Sequence, residues 1–324
     1  MKFSRALYLF PLIGAVSELP ALCRTYSFPN WELTAEGLLV ERRGIRKEKL
    51  ITPLRCGCRS PLSSTRSVKN FDWEPGVRGF IRYMPSKHRT VEISGTWIQD
   101  FESTAEKTSA SSSFNYLFPA GYTVDYFNAQ RVKAEYTSRF YDSEINYWGN
   151  FSPRNVNYAS LCGVVGIRSM FLGEHFTLTY FKGNNASTYF AKTHNYLTGL
   201  QAGGSLQWNP TCHWSFDFQA KTAVMCDFTT SKLVLRDQNN TVKMKNFNPN
   251  SQFATWMLEG SLFLYYRFRY NISTHAGYRL LGLWNLALAP MQLTGQSGPH
   301  SGDKVDTSGK IYLHFVTLGL NFDF

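Results

Sequence analysis

Seven histidines, His88, His175, His194, His213, His275, His300 and His314, are where acid–base or hydrolytic chemistry would have to start. Acyl transfer needs a nucleophile held against such a base. No serine lies in a Gly-x-Ser-x-Gly turn, and His300-Ser301 is adjacent in sequence without further support. Six cysteines (Cys23, Cys56, Cys58, Cys162, Cys212, Cys226) suit an oxidising compartment. Cys56-Gly57-Cys58 is too tight for zinc spacing and has no matching histidine pair. No glycine-rich loop cradles a phosphate. The residues therefore predict no enzyme, no metal and no cofactor.

The elements that would position these groups are read from periodicity. Val91, Ile93, Gly95 and Trp97 alternate with Glu92, Ser94 and Thr96. Longer alternation runs from Trp214 to Phe228 and from Leu258 to Tyr270. A period of two over such lengths exceeds the ~5–6 residues common in soluble strands and exceeds the ~9–11 that cross a bilayer. Short connections at Asn128-Ala129-Gln130, Leu172-Gly173-Glu174, Asn209-Pro210-Thr211 and Tyr270-Asn271-Ile272 alternate with long ones at 102–120, 151–161, 182–194, 229–252 and 289–308. Membrane barrels alternate turns and loops in this way.

The expected fold is all-β: a transmembrane, antiparallel, up-and-down β-barrel of about ten strands, with eight to twelve allowed. The strands are expected near 88–101, 121–127, 131–150, 162–171, 175–181, 195–208, 212–228, 253–269, 273–288 and 309–324. Composition agrees. Aromatics are 16% of 324 residues, mean hydropathy is −0.27, and no window past the N-terminus holds the ~18 apolar residues of a spanning helix. Two places break the pattern. Alternation slips at Phe140-Tyr141, which reads as a β-bulge or a turn. Leucines fall on both faces of 273–288.

The N-terminus divides into residues 1–17, a signal peptide with Lys2 and Arg5 before an apolar run, and 18–87, a basic N-terminal periplasmic extension or plug. The barrel is expected over 88–324. The net charge of +11 is concentrated early, at Arg42, Arg43, Arg46, Lys47, Lys49, Arg55, Arg59, Arg66 and Lys69. That cluster suits solvent or an anionic lipid or polymer. No nucleic-acid motif accompanies it.

Strand parity selects a lining. With Phe218, Leu264 and Tyr278 toward lipid, the lumen receives Asp217, Lys221, Arg267, Arg269, His275 and Arg279 as pore-lining candidates. Lys133, Glu135 and Arg139 would follow, with Asp142 and Glu144 after the slip. Such charges either form a salt-bridged filling or, with arginine in excess beside Asn271, favour anions. Ten strands leave a narrow channel at most.

Val316, Leu318, Leu320, Phe322 and Phe324 alternate to the last residue. This ending resembles the closing strand of bacterial outer-membrane barrels, in which it is the signal read by the barrel-assembly machinery. The segment Tyr136–Trp148, with Ser143-Glu144-Ile145-Asn146-Tyr147, resembles a poorly characterised family of β-barrel porins from planctomycete- and chlamydia-type bacteria. Gly166-Ile167-Arg168 and Gly199–Gly204 extend the resemblance over roughly 80–324. It implies a barrel in the cell outer membrane, in contact with its lipid and lipopolysaccharide, and transfers no ligand or catalytic residue.

The expected function is structural or that of a narrow, anion-preferring pore. An adhesin or receptor acting through 102–120, with Phe114, Tyr116, Leu117 and Phe118, and through 229–252 is the alternative. It would have a host-surface or envelope-protein partner. A lipid-modifying barrel enzyme is the third reading.

Overall fold

Inside a bilayer every backbone N–H and C=O must find a partner within the protein, and a sheet meets that demand by closing on itself. The computed structural model describes residues 30–44, 51–53, 71–86, 88–108, 114–116, 129–151, 158–269, 271–293 and 305–324. The strands are β1 (Trp31–Arg43), β2 (Ile51–Pro53), β3 (Glu74–Ser86), β4 (Arg89–Ile98), β5 (Phe101–Thr108), β6 (Phe114–Tyr116) and β7 (Arg131–Asn150). They continue with β8 (Ala159–Lys182), β9 (Asn185–Trp208), β10 (Trp214–Arg236), β11 (Val242–Arg269), β12 (Ile272–Leu286) and β13 (Gly309–Asp323).

Among the described residues, eleven strands form one antiparallel sheet whose first and last members meet. β1 pairs with β13 from Glu32 opposite Asp323 to Arg43 opposite Tyr312. β4 and β5 lie end to end on β7. An extra residue between Ile98 and Phe101 keeps both of those side chains inward, as a bulge does. The wall thus has ten staves. β2 and β6 make a separate two-stranded ribbon.

The barrel class holds, but its boundaries move. The wall begins at Trp31 rather than at residue 88, because β1 and β3 pair with each other over Trp31–Val40 and Glu74–Tyr83. Arg42 and Arg43 are strand residues, not part of a solvated extension. Leu172-Gly173-Glu174 is no turn; it lies in the middle of β8, in unbroken register with β7 and β9. The expected loops 182–194 and 229–252 are mostly wall, with tight turns at 183–184 and 237–241. The expected strand 121–127 and residues 1–17 lie outside the described residues. So do His300-Ser301, Cys23, Cys56, Cys58 and the remaining early basic residues.

The slip at Phe140-Tyr141 has a different cause from a bulge. β7 pairs with β8 continuously from Arg131 opposite Phe181 to Asn150 opposite Cys162. The inward set is Val132, Ala134, Tyr136, Ser138 and Phe140, then Asp142, Glu144, Asn146 and Trp148, all buried. The outward set is Arg131, Lys133, Glu135, Thr137 and Arg139, then Tyr141, Ser143, Ile145 and Tyr147. Geometry is constant while polarity inverts. Lys133, Glu135 and Arg139 therefore face out, not into the lumen.

Other strands invert at a matching level. On β1, Glu32, Thr34 and Glu36 give way to Leu38 and Val40 inside. On β12, Leu280 faces out while Leu281 and Leu283 are buried inside, which explains leucine on both faces. The inversion marks a membrane boundary. Below it, Leu33, Ile81, Ile93, Ile145, Ile167, Leu200, Val224, Leu258 and Leu318 form an exposed apolar belt. Trp97, Tyr141, Phe171, Tyr196 and Phe228 ring its upper edge as successive cross-strand partners. Trp31, Tyr83, Trp208 and Trp214 stand at its lower edge, exposed. From Leu161 to Phe171 a strand tilted by ~40° rises about 25 Å, the height of a bilayer's apolar band. Val316, Leu318, Leu320, Phe322 and Phe324 all face outward, toward this belt.

Candidate functional site

The lumen is the place where a pore or a reaction would sit, and it has two storeys. In the lower storey, at belt height, inward side chains from nearly every stave meet. Arg168 holds Asp142 with two bonds, Nε to Oδ1 at 2.9 Å and Nη2 to Oδ2 at 2.6 Å. Its Nη1 stands 2.8 Å from Glu259 Oε2. Glu144 accepts from Lys221 Nζ at 2.8 Å, and from Gln201 Nε2 and Asn146 Nδ2 at 2.9 Å each. Asn146 also donates to Glu92 at 2.9 Å, and Arg82 links Glu92 (2.6 Å) to Glu32 (3.0 Å).

β12 and β13 complete the ring. His275 Nε2 lies 2.9 Å from Glu36 Oε1. It reaches across Gly319, where any Cβ would sit 2.3 Å from the imidazole. Arg279 is buried, with its guanidinium 4.0 Å over the Phe315 ring. Buried charge survives only when opposed and hydrogen-bonded. Arg78 supplies the opposing charge between Glu36 and Glu144, at 3.8 and 3.6 Å, beyond hydrogen-bond length.

The upper storey is mostly apolar. Phe101, Leu172, Phe176, Leu178, Ala191 and Phe315 are among its fully buried side chains. Across it runs the segment after β12, through a short 3-10 helix at Ala289–Leu293. Leu286, Ala287, Leu288, Ala289 and Met291 have no exposed surface. Two polar side chains of the far wall fix this crossing. Asn195 accepts from Ala287 N–H at 3.2 Å and donates to its carbonyl at 3.0 Å. Glu174 accepts the Ala289 N–H at 2.8 Å. Glu174 is itself paired with Arg42 and accepts from the Tyr136 hydroxyl at 2.7 Å. The crossing at 287–293 therefore fills the upper lumen, and Phe71, from the segment before β3, packs there against Phe101 and Tyr136.

Of the lining candidates, Lys221 and His275 join the lower network, and Arg279 is buried beside it with no hydrogen bond to its guanidinium nitrogens. Asp217 points inward below it, accepting from Gln219 at 2.6 Å. Arg267 and Arg269 are exposed at the rim that carries Trp31 and Phe324 and take no part. Sequence reasoning missed Glu36, Arg78, Arg82, Glu92, Arg168, Glu174 and Glu259 as lumen residues. Arg168 and Glu259 were readable from parity, since each alternates with apolar outward neighbours. Glu36, Arg78 and Arg82 sit on strands whose period the inversion hides.

No family model matches the chain, and no curated protein does. Among solved structures the chain is similar to the outer membrane protease OmpT from Escherichia coli, at 10% identity, 93% of this chain, 99% of that one and a TM-score of 0.49. It is also similar to Ail, the attachment invasion locus protein of Yersinia pestis, at 10% identity, 92% and 100% coverage and a TM-score of 0.28. A major outer membrane protein from Thermus thermophilus gives 10% identity, 91% and 99% coverage and a TM-score of 0.29. At these values neither activity nor ligand transfers. Closure, the apolar belt and the aromatic girdles themselves define an outer-membrane β-barrel, and the cell outer membrane is its location.

Proposed function

We propose that this protein is a closed outer-membrane barrel that serves as a structural and presenting element and conducts no solute through its lumen. The observation that carries this reading is the fully buried crossing at Leu286–Met291 above a charge-filled lower storey. In this reading most of the lining cations are held by carboxylates rather than offered to anions. Lys221, Arg78 and Arg168 lie within 4 Å of Glu36, Asp142, Glu144 and Glu259. The reading is non-enzymatic. His275 with Glu36 has the form of a base and its acid, but both are buried in the lumen beneath the crossing segment. The porin-like resemblance at residues 136–148 falls on β7, a strand of the wall.

Planar-bilayer recording of the refolded full chain tests the reading. Steady current at the lipid baseline is expected, and stepwise ohmic openings would overturn it.

A second reading, adhesion or reception, is favoured by the height of the wall. β8 and β9 have 24 residues each and β11 has 28, against the ~9–11 that cross a bilayer. Binding to a host or envelope surface, lost when 183–184 and 237–241 are replaced by glycine and serine, would support it. Unchanged binding would remove these turns from it.

A further inference from the structure

Immediately above the upper aromatic ring, the outer wall of β7–β10 carries cations in registered rows. The ring row is Tyr141, Phe171, Tyr196 and Phe228. The next row up is Arg139, Gly173, His194 and Thr230, and the row above that is Thr137, His175, Lys192 and Lys232. Lys192 is the direct cross-strand partner of both Lys232 and His175. Like charges so placed repel. Arg139 is satisfied by Asp100 at 2.6 Å; Lys192 and Lys232 border a dent of about 170 Å³ with His194 and Thr230.

Gly173 shapes the floor. A Cβ there would stand 2.8 Å from the Phe171 ring and 3.5 Å from the His194 ring. Phe171 packs against Tyr196 at 5.0 Å and against His194 at 5.6 Å. The aromatic floor is thus continuous with the apolar belt, and the cations begin one residue pair higher. That is the order of groups in a membrane lipid: chains below, an interface, then an anionic head. Polybasic surfaces beside a bilayer attract such heads.

We propose that Lys192, Lys232 and His194 form a headgroup site for a phosphorylated lipid of the leaflet that meets the upper ring, its chains lying over Phe171 and Tyr196. The proposal rests on the reading that the belt is membrane-embedded. Phosphate is the fitting chemistry, because one tetrahedral dianion can accept from two ammonium groups and an imidazole N–H together. The occupant also removes the repulsion between the paired lysines.

The test uses the refolded full chain in neutral-detergent micelles, with native mass spectrometry reading bound lipid. Folding is scored first by heat-modifiable migration, so a failure of the barrel is separated from a failure of the site. Phosphatidic acid should be retained at about one molecule per barrel, and diacylglycerol should not be. Lys192→Gln/Lys232→Gln should weaken retention about tenfold or more, and Lys232→Gln alone should give a smaller loss in the same direction. Equal retention by wild type and the double variant would overturn the proposal, as would equal binding of diacylglycerol. Displacement of phosphatidic acid by an equal concentration of inorganic phosphate would make this a free-anion site and overturn the lipid assignment.

Discussion

The lower and upper storeys of this barrel share strands, register and period, yet they are chemical opposites. At belt height the outside is apolar and the inside holds Asp142, Glu144, Arg168 and Glu259. Above the ring of Trp97, Tyr141, Phe171, Tyr196 and Phe228 the outside carries Lys133, Glu135, Arg139 and Lys232, while the inside is a mostly apolar core in which Arg42, Glu174 and Asn195 are the anchoring polar side chains. The difference teaches that parity fixes only which way a side chain points. What it should be is set by the medium on each side, lipid below and water above. A transmembrane barrel and a soluble barrel are stacked on one set of staves.

The contrast can be broken first from inside the lower storey. Arg168→Met strips the partner from Asp142 and leaves Glu259 without its 2.8 Å contact. Orphaning a buried ion pair costs ~3–5 kcal/mol, so urea unfolding in lipid should shift by about that much. In the upper storey the equivalent injury is a cavity. Leu288→Ala removes a side chain with no exposed surface, at a cost of ~2–5 kcal/mol. Exchanging these treatments between storeys sharpens the comparison outside. Leu258→Arg places a charge in the belt and should cost ~2–4 kcal/mol. Thr177→Lys, outward on the upper wall, should stay within ~0.5 kcal/mol.

Acid should register on the upper wall and only weakly. Burial, Lys192 and Arg139 lower the pKa of His175, and burial, Lys192 and His175 lower that of His194. The unfolded chain then binds protons before the folded one does. Stability contributed by these sites is therefore lost as pH falls through the ordinary histidine value of ~6.5. Unfolding midpoints followed from neutral to acid pH should drop less in His175→Gln/His194→Gln than in wild type.

The same contrast explains what was legible in the sequence. β13 is legible to its last residue because Val316–Phe324 lies wholly at belt height, with one apolar face. β10 is legible from Trp214 to Phe228 and not beyond it, where Leu233 and Leu235 turn inward and Thr230 and Lys232 face water. On β1 the inversion falls at Gly37–Leu39, so Leu38-Leu39-Val40 looks like an apolar run instead of two phases. Gly173-Glu174 looked like a turn because a buried glutamate beside a glycine resembles a polar connection. Its inward place depends on Arg42, which is 132 positions away in sequence. The lumen network was half visible, since Lys221, His275 and Arg279 follow parity while their acids come from distant strands. The crossing at 287–293 left no local signal, because its two anchors, Glu174 and Asn195, lie more than 90 residues earlier.

The most direct test is a label-accessibility scan along the outward face of β8, in a background whose native cysteines are serine. Spin labels at Val165, Ile167, Phe171, His175, Thr177 and Thr179 would be read for collision with oxygen, which partitions into lipid, and with a water-soluble nickel chelate. Oxygen should dominate at Val165 and Ile167, the two should cross near Phe171, and the chelate should dominate from His175 upward. A profile that stays lipid-like through Thr179, or water-like down to Val165, would contradict the two-storey barrel.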